Sequence, residues 1–509
     1  MKKFFLIFAL LLCSLFGFAQ FDNYKTVGRN NVTQRDIVAF VHRFEDEITR
    51  ASIDTTSNRA LVTVWGDPKG KRIRKKDLIR REVCYDLESQ KEIWSKKLNW
   101  DEALVKIGDF YMYQMPQSYM TDERTFRLNA ETGEKMYKIG SNLYIPYVNY
   151  EKGYIICCRK YFGHLRKFPL KNISMQTNEV LWERKMDLSA GCEVEGKFND
   201  SVLLLVASGI HSLNINDGTG WSYEMKTNKV ESFVDYPYEY KYVVDCHSNL
   251  LVDSTSVTVA SCEEIVKFDT EGNVIWRGEL DPEKTGRSHL VKNKDYVVLI
   301  NLGFAKARRK YKDSGRPYFA VFNAESGKNL CVHERQQNAD YFLDAKFCED
   351  TLFIISADKK EHFTVEKYLM PDGVALAKKT FNSTSTDKTG ALYGFLDESI
   401  YVKNDSVLTP IVKADTNSIY VNCKHTILKF NRKLTVMGNV EFKDCYELLR
   451  EYNGIRYFGH DGKIIAVDAN DTEIATFDFD SMYLSESKLF SIDGSALYEV
   501  DLKQVFASE

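Results

Sequence analysis

VKFDTEGNVIW, residues Val266–Trp276, is the stretch on which the reading of this chain turns. A short apolar strand ends at Asp269. Asp, Thr, Glu and Gly then supply a tight turn: the Asp side chain can bond its own backbone, and Gly272 can take the positive φ such turns require. A second strand follows and carries Trp276, a large residue placed to cover the apolar layer between neighbouring sheets.

The same unit recurs. CYDLESQKEIW (Cys84–Trp94), FRLNAETGEKMY (Phe126–Tyr137), ISMQTNEVLW (Ile173–Trp182), HSLNINDGTGW (His211–Trp221) and AVFNAESGKNL (Ala320–Leu330) are clear copies. KYLMPDGVAL (from Lys367), LKFNRKLTVM (from Leu428), IAVDANDTEI (from Ile465) and LYEVDLKQV (from Leu497) are weaker ones. Gly133, Gly327 and Gly373 stand where Gly272 does, and Asn178 replaces the glycine in its copy, since Asn tolerates the left-handed region. Upstream of each copy lies another pair of strand patterns, as in DSVLLLVASGIHSLNI from Asp200. Each unit therefore reads as four short strands, the organisation of a β-propeller, in which sheets that cannot bury both faces alone pack radially against one another.

FRLNAETGEKMY, VKFDTEGNVIW and AVFNAESGKNL resemble the quinoprotein-like (PQQ-like) propeller repeat, which runs strand, Ala-Leu-Asp, Thr-Gly, then Trp. The resemblance extends from about residue 60 to 509 and implies a fold more than a function, because relatives include sugar and alcohol dehydrogenases and outer-membrane assembly scaffolds. The fold class expected is all-β: a propeller of about eight four-stranded blades, seven being the alternative count, with the last two closely spaced copies sharing a blade and the chain ends completing one sheet together.

One segment departs from this pattern. Val32–Ser52, VTQRDIVAFVHRFEDEITRAS, places Ile37, Val38, Val41, Phe44 and Ile48 at helical spacing, with Thr33 as N-cap and Asp36 three positions on. It predicts a short amphipathic helix packed before the first blade. The domain plan is a signal peptide over 1–19, an N-terminal extension with that helix over 20–58, and the propeller over 59–509.

The signal peptide rests on Lys2 and Lys3, the apolar run Phe4–Phe18, and the small residues Gly17 and Ala19, with cleavage expected after Ala19. Leu10–Leu12 stand before Cys13 where a lipid-modified cysteine wants a small residue, which argues against lipid anchoring. No later run reaches membrane-spanning length, so the mature chain is expected in the periplasm or outside the cell. A net charge of −3 gives no general reason to bind nucleic acid. The 44% apolar residues allow a large core, and 29 Tyr and 31 Phe favour strands. Ten of the eleven Cys survive cleavage, and no C-x-x-C occurs. Their irregular spacing inside apolar runs reads as buried thiols, with one or two bridges permitted by the compartment.

Chemistry is harder to find. The nine His show no metal spacing, and no nucleophile elbow or phosphate-cradling loop appears. Tyr161-Phe162-Gly163-His164 recurs as Tyr457-Phe458-Gly459-His460, read as a strand end with Gly making the bend, or as paired ligand loops through His164 and His460. Two basic runs, KGKRIRKKDLIRR (Lys69–Arg81) and KARRKYKDSGR (Lys306–Arg316), read as loops between strands. The first offers Arg72, Arg74, Lys75, Lys76, Arg80 and Arg81 as an anion site.

No cofactor and no metal is expected. The resemblance raises pyrroloquinoline quinone, whose site takes a stacking Trp, a calcium cage and a catalytic Asp. Here Trp94, Trp182, Trp221 and Trp276 occupy the packing position of the repeat, Trp65 and Trp100 lie in no cofactor motif, and the vicinal pair Cys157–Cys158 lacks an adjacent glycine. The functional expectation is an exported, non-catalytic binding or scaffold propeller of the bacterial cell envelope, serving an envelope protein or glycan. The alternative is an enzyme with its site at a channel mouth, quinoprotein dehydrogenase-like or sulfotransferase/lyase-like. A cluster of His, Arg and carboxylates converging on the axis would favour the alternative.

Overall fold

The structure is a computed structural model. It describes residues 23–507 except 55–56, 67–78, 99–102, 108–109, 116–123, 150–151, 160–166, 236–237, 308–309, 336–340, 358–361, 383–410, 415–417, 423–426, 432, 435, 441–446, 461, 471 and 486. The proposed signal peptide and Cys13 lie outside the described residues. Two compact units are present, one formed by 1–142 with 444–509 and the other by 143–443.

Among the described residues the fold is all-β and antiparallel. In the second unit six four-stranded sheets follow one another: sheet III (Leu143–Asn149, Tyr154–Arg159, Pro169–Ser174, Val180–Lys185), sheet IV (Glu193–Asn199, Val202–Ala207, Gly209–Asn214, Ser222–Glu224), sheet V (Leu251–Val252, Ser256–Ala260, Glu264–Asp269, Val274–Glu279), sheet VI (Ser288–Lys292, Tyr296–Asn301, Tyr318–Asn323, Asn329–Glu334), sheet VII (Tyr341–Cys348, Thr351–Ala357, His362–Leu369, Val374–Asn382) and sheet VIII (Ile411–Ala414, Ser418–Asn422, Ile427–Asn431, Val436–Val440). Two hairpins are inserted, Asn228–Asp235 with Tyr238–Asp245 and Phe304–Ala307 with Lys310–Asp313. The second contains most of the basic run read as a loop.

The first unit holds sheet I (Glu47–Asp54, Arg59–Gly66, Ile79–Asp86, Lys91–Leu98), sheet II (Ala103–Ile107, Phe110–Met115, Arg124–Leu128, Lys135–Ser141) and a nine-stranded sheet. That last sheet joins the strands of 447–477 and 483–501 through Tyr24–Asn30 and Asp36–Arg43. Eight signature turns thus sit one to each four-stranded sheet. The final two fall in the nine-stranded sheet on separate sets of strands, the ninth within 447–477 and the tenth after Ala496–Asp501, so they do not share one four-stranded blade as expected; the first strands of the chain lie between the two sets.

Burial explains the strand order. The second and third strands of a sheet are covered on both faces and read as continuous apolar runs: VLLLVA at 202–207, YVVLIN at 296–301 and YFAVFN at 318–323. The fourth strands are exposed except at the tryptophan, as in VLWERK and VIWRGE.

The repeated turn is built as its residues require. Asn129, Asn214, Asp269 and Asn323 each accept backbone N–H bonds from within their own turn. Gly133, Gly272, Gly327, Gly373 and Asn178 all adopt positive φ. Each tryptophan then docks on the turn of the next sheet. Trp94 donates to Ala130 O at 2.7 Å, Trp182 to Ile215 O at 2.8 Å, Trp221 to Thr270 O at 3.0 Å and Trp276 to Ala324 O at 3.2 Å. The ring lies flat on the glycine, so a Cβ at Gly133 would stand 2.7 Å from Trp94 Cδ2 and one at Gly327 2.5 Å from Trp276 Cδ2.

The helix expected over Val32–Ser52 is not there. Asp36–Arg43 and Glu47–Asp54 are strands. Ile37, Ala39 and Val41 are buried while Val38 is exposed, the alternation of a half-buried strand. The apolar residues fit both periods, and pairing decided between them: Asp36–Arg43 supplies the outer neighbour of Ala496–Asp501. The helix present among the described residues is a single turn, Leu502–Val505, capped by Asp501.

Candidate functional site

Of the residues singled out for binding, His164, Arg72, Arg74, Lys75 and Lys76 lie outside the described residues. His460 ends the strand Ile455–His460, opposite Lys463. Gly459 does not make the bend expected of it: it pairs with Glu447 and Ile464 inside the sheet, and the turn falls at Gly462, φ +75°.

Arg80 and Arg81 are strand residues of sheet I rather than loop cations. Arg80 Nη2 lies 3.3 Å from Glu82 Oε1, and the Thr63 hydroxyl donates to Glu82 at 2.9 Å. Burial raises the Glu82 pKa, against the lowering effect of Thr63, Arg80 and Arg50. Arg81 reaches Asp46 at 3.5 Å, Glu92 at 3.7 Å and Glu45 at 4.0 Å. Local carboxylates engage both cations: Arg80 pairs with Glu82 within its own strand, and Arg81 with Glu92 on the neighbouring strand and with Asp46 and Glu45 just before Glu47–Asp54.

A second arrangement was not legible as a motif. In the 143–443 unit the first strands of sheets III to VIII stand side by side in chain order. Among the described residues each has one hydrogen-bonded neighbour in its own sheet, and its other edge carries no ladder bond to a described strand. Along this row lie Glu195 on sheet IV, His247 on the approach to sheet V, Arg287 and His289 at the start of sheet VI, and Asp344 and Lys346 on sheet VII.

Their electrostatics are coupled. His247 Nε2 is 3.1 Å from Glu195 Oε1, and Nδ1 is 3.4 Å from Thr227 O. Burial disfavours the imidazolium of His247, yet the bonded Glu195 carboxylate, helped by Asp245, outweighs it and raises the pKa. His289 goes the other way, pushed down to about 4 by burial and then by the Arg287 and Lys346 cations. Burial also lowers Lys346, with Asp344 opposing. One imidazole is thus biased toward its charged form and the other held neutral, within one row of strands.

Cys157 and Cys158 sit in the strand Tyr154–Arg159, both buried, with pKa values pushed up to about 12, chiefly by burial. They occupy opposite faces as consecutive strand residues must. Trp94, Trp182 and Trp276 are buried between sheets by the docking just described, and Trp221 is partly so. Among the described residues no group of three or more His, Cys, Asp or Glu is placed to hold a metal ion. None of the described helices is long and apolar enough to cross a membrane.

No protein-family model matches the chain, and no curated protein matches it. Among solved structures it is similar to BamB from Moraxella catarrhalis, at 13% identity over 74% of this chain and 96% of that one, with a TM-score of 0.33. It is also similar to the computationally designed Ika8 protein, at 10% identity over 77% and 96%, TM-score 0.30. A third is the Cps50 (Swd1) β-propeller domain of Myceliophteria thermophila, at 8% identity over 66% and 89%, TM-score 0.25. Likenesses this distant assign neither a partner nor an activity.

Proposed function

We propose that this chain is an exported, non-catalytic binding or scaffold β-propeller of the bacterial cell envelope, whose partner is met by the first strands of sheets IV to VII. The observation that carries the reading is the row Glu195, His247, Arg287, His289 and Lys346, where ionisable groups from four sheets lie on or just before adjacent first strands. Such a row supplies orientation and charge complementarity to a polar partner, a protein or a glycan, without needing a reactive group. The repeated turn-and-tryptophan unit supports the propeller, and the basic, apolar and small-residue order of 1–19 supports export.

A photo-crosslinking residue at Lys346 in the expressing cell tests the reading, with the outer-strand position Val274 as control. Adducts from position 346 and none from 274 are expected; adducts from 274 alone, or from neither, overturn it. The intact mass of the envelope protein should match a chain starting at Gln20. The Glu195–His247 pair at 3.1 Å favours a second reading, acid–base chemistry at the same row. Loss of a low-molecular-weight product in H247A, with crosslinking unchanged, would replace the first reading by this one.

A further inference from the structure

We propose that Cys246 and Cys262 form a disulfide in the mature protein, a covalent clasp between the segment that carries His247 and the turn after the second strand of sheet V. Their sulfurs are 3.3 Å apart, inside ordinary van der Waals separation, and both side chains are fully buried. The backbone holds them in that relation from both sides. Cys246 N donates to Thr227 O at 2.9 Å, and Ser248 N donates to Ala260 O at 2.9 Å. Ala260 N donates in return to Ser248 Oγ at 2.9 Å. The bonds between Ser248 and Ala260 set residues 246–248 beside 260–262 in antiparallel sense, which places Cys246 opposite Cys262, and the 3.3 Å between the sulfurs must close to a bond length of about 2.05 Å.

The two thiols are unlike in acidity. The bond donated by Cys246 lowers the Cys262 pKa, against burial and with help from the Lys226 ammonium, to about 7. Cys246 is raised, by that same bond and then by burial. While the segment is still open to solvent either cysteine can attack first, and Cys262 is taken as the attacking thiolate. It displaces one thiolate from a small-molecule or protein disulfide, giving a mixed disulfide. Cys246 gives up its proton, attacks the Cys262 sulfur and expels the second thiolate. The two protein thiols are oxidised to a disulfide while the external disulfide is reduced to two thiols. Because both sulfurs are buried in the finished fold, the exchange belongs to folding, before sheet V packs.

Oxidative refolding tests this without depending on export or on any partner. The reduced, denatured protein is refolded with oxidised glutathione, denatured again, alkylated and digested without reduction. Both cysteines lie in the tryptic peptide Tyr242–Lys267, which should appear unalkylated and about two mass units lighter than the reduced form. Cleavage before Asp253, which lies between them, should leave the halves joined until reductant is added. C262S should leave Cys246 alkylated. Oxidised wild type should melt several degrees above reduced wild type, and C246A/C262A should show no such dependence on reductant. Alkylation of both cysteines after oxidative refolding, or a bridge from either to another cysteine, overturns the proposal.

Discussion

Replacing Gly133 by Ala probes the repeated unit at its tightest point. Gly133 has φ +68°, and its added Cβ would lie 2.7 Å from Trp94 Cδ2 and 2.8 Å from Cε3. Gly494, in the same unit of the chain, has φ +57° with nothing within 4 Å of the added Cβ. Both substitutions pay the left-handed backbone penalty of about 1–2 kcal/mol. Only G133A also displaces a buried indole by about 1 Å, at an overpacking cost of about 1–3 kcal/mol. It further strains the 2.7 Å bond from Trp94 to Ala130 O, worth about 1 kcal/mol. The expected loss is about 3–6 kcal/mol for G133A against about 1–2 kcal/mol for G494A. Urea denaturation followed by tryptophan fluorescence measures both. In a W94A background the clash is gone, so G133A should cost no more than G494A, and the cycle should show a coupling of about 2 kcal/mol. Equal losses for G133A and G494A, or additivity with W94A, would refute the docking of each tryptophan on the next turn.

Stability should fall in acid through His211, whose pKa burial, and then the Arg184 charge, push down to about 4. Between about pH 6.5 and 4 the unfolded state binds the proton that the folded state refuses, so its contribution is complete above 6.5 and lost as pH falls. H211Q should remove up to about 3 kcal/mol of that acid sensitivity in melting curves at pH 7 and pH 4.5, and an unchanged slope would mean the imidazole is not held neutral. Arg335, at the end of sheet VI, ion-pairs with Glu366 and donates to Ser356 Oγ at 3.1 Å, while Lys378 lies 3.3 Å from the same carboxylate. R335M should cost about 2–4 kcal/mol in denaturation midpoint, with E366Q/R335M recovering part of it, because the cost comes from a buried carboxylate left with one partner. For His247, loss of the Glu195 carboxylate should lower its pKa, so the imidazole titration followed by NMR should move to lower pH in E195Q.

The repeated unit was legible because its cause is local. Asn129, Asp269 and Asn323 bond within their own turns, and Gly133, Gly272 and Gly327 need positive φ whatever surrounds them. The chain ends were expected to meet in one sheet, but the strand character of the segment read as a helix was not legible, for the opposite reason. Ile37, Val38, Val41 and Phe44 fit a helix as well as a strand until a partner is considered. That partner lies more than 450 positions away, in Tyr498 opposite Val41 and Glu499 opposite Phe40. The tenth turn, LYEVDLKQV, held the missing clue. It runs from a strand into the single helical turn Leu502–Val505 and so supplies no fourth strand of its own. A sheet left one strand short presents an unpaired edge, and the early segment fills it.

The charged row of sheets IV to VII escaped sequence reading for a related reason. Motif reasoning looks for ligands at fixed short spacing, and Glu195, His247, Arg287 and Lys346 are each about one repeat apart. The signal available was positional. His247 precedes the first strand of its sheet and His289 is the second residue of its own, and on first strands a charge is neither enclosed between sheets nor left fully in solvent. In the second and third strands a charge must find a partner in the apolar layer, as Glu82 does in Thr63 and Arg80. In the fourth strand it meets open solvent, as the exposed pattern of VIWRGE shows. Between these extremes the first strand holds groups half-buried, near enough to shift one another's protonation and still within reach of a partner, which is where a repeat that fixes everything else leaves room for a site.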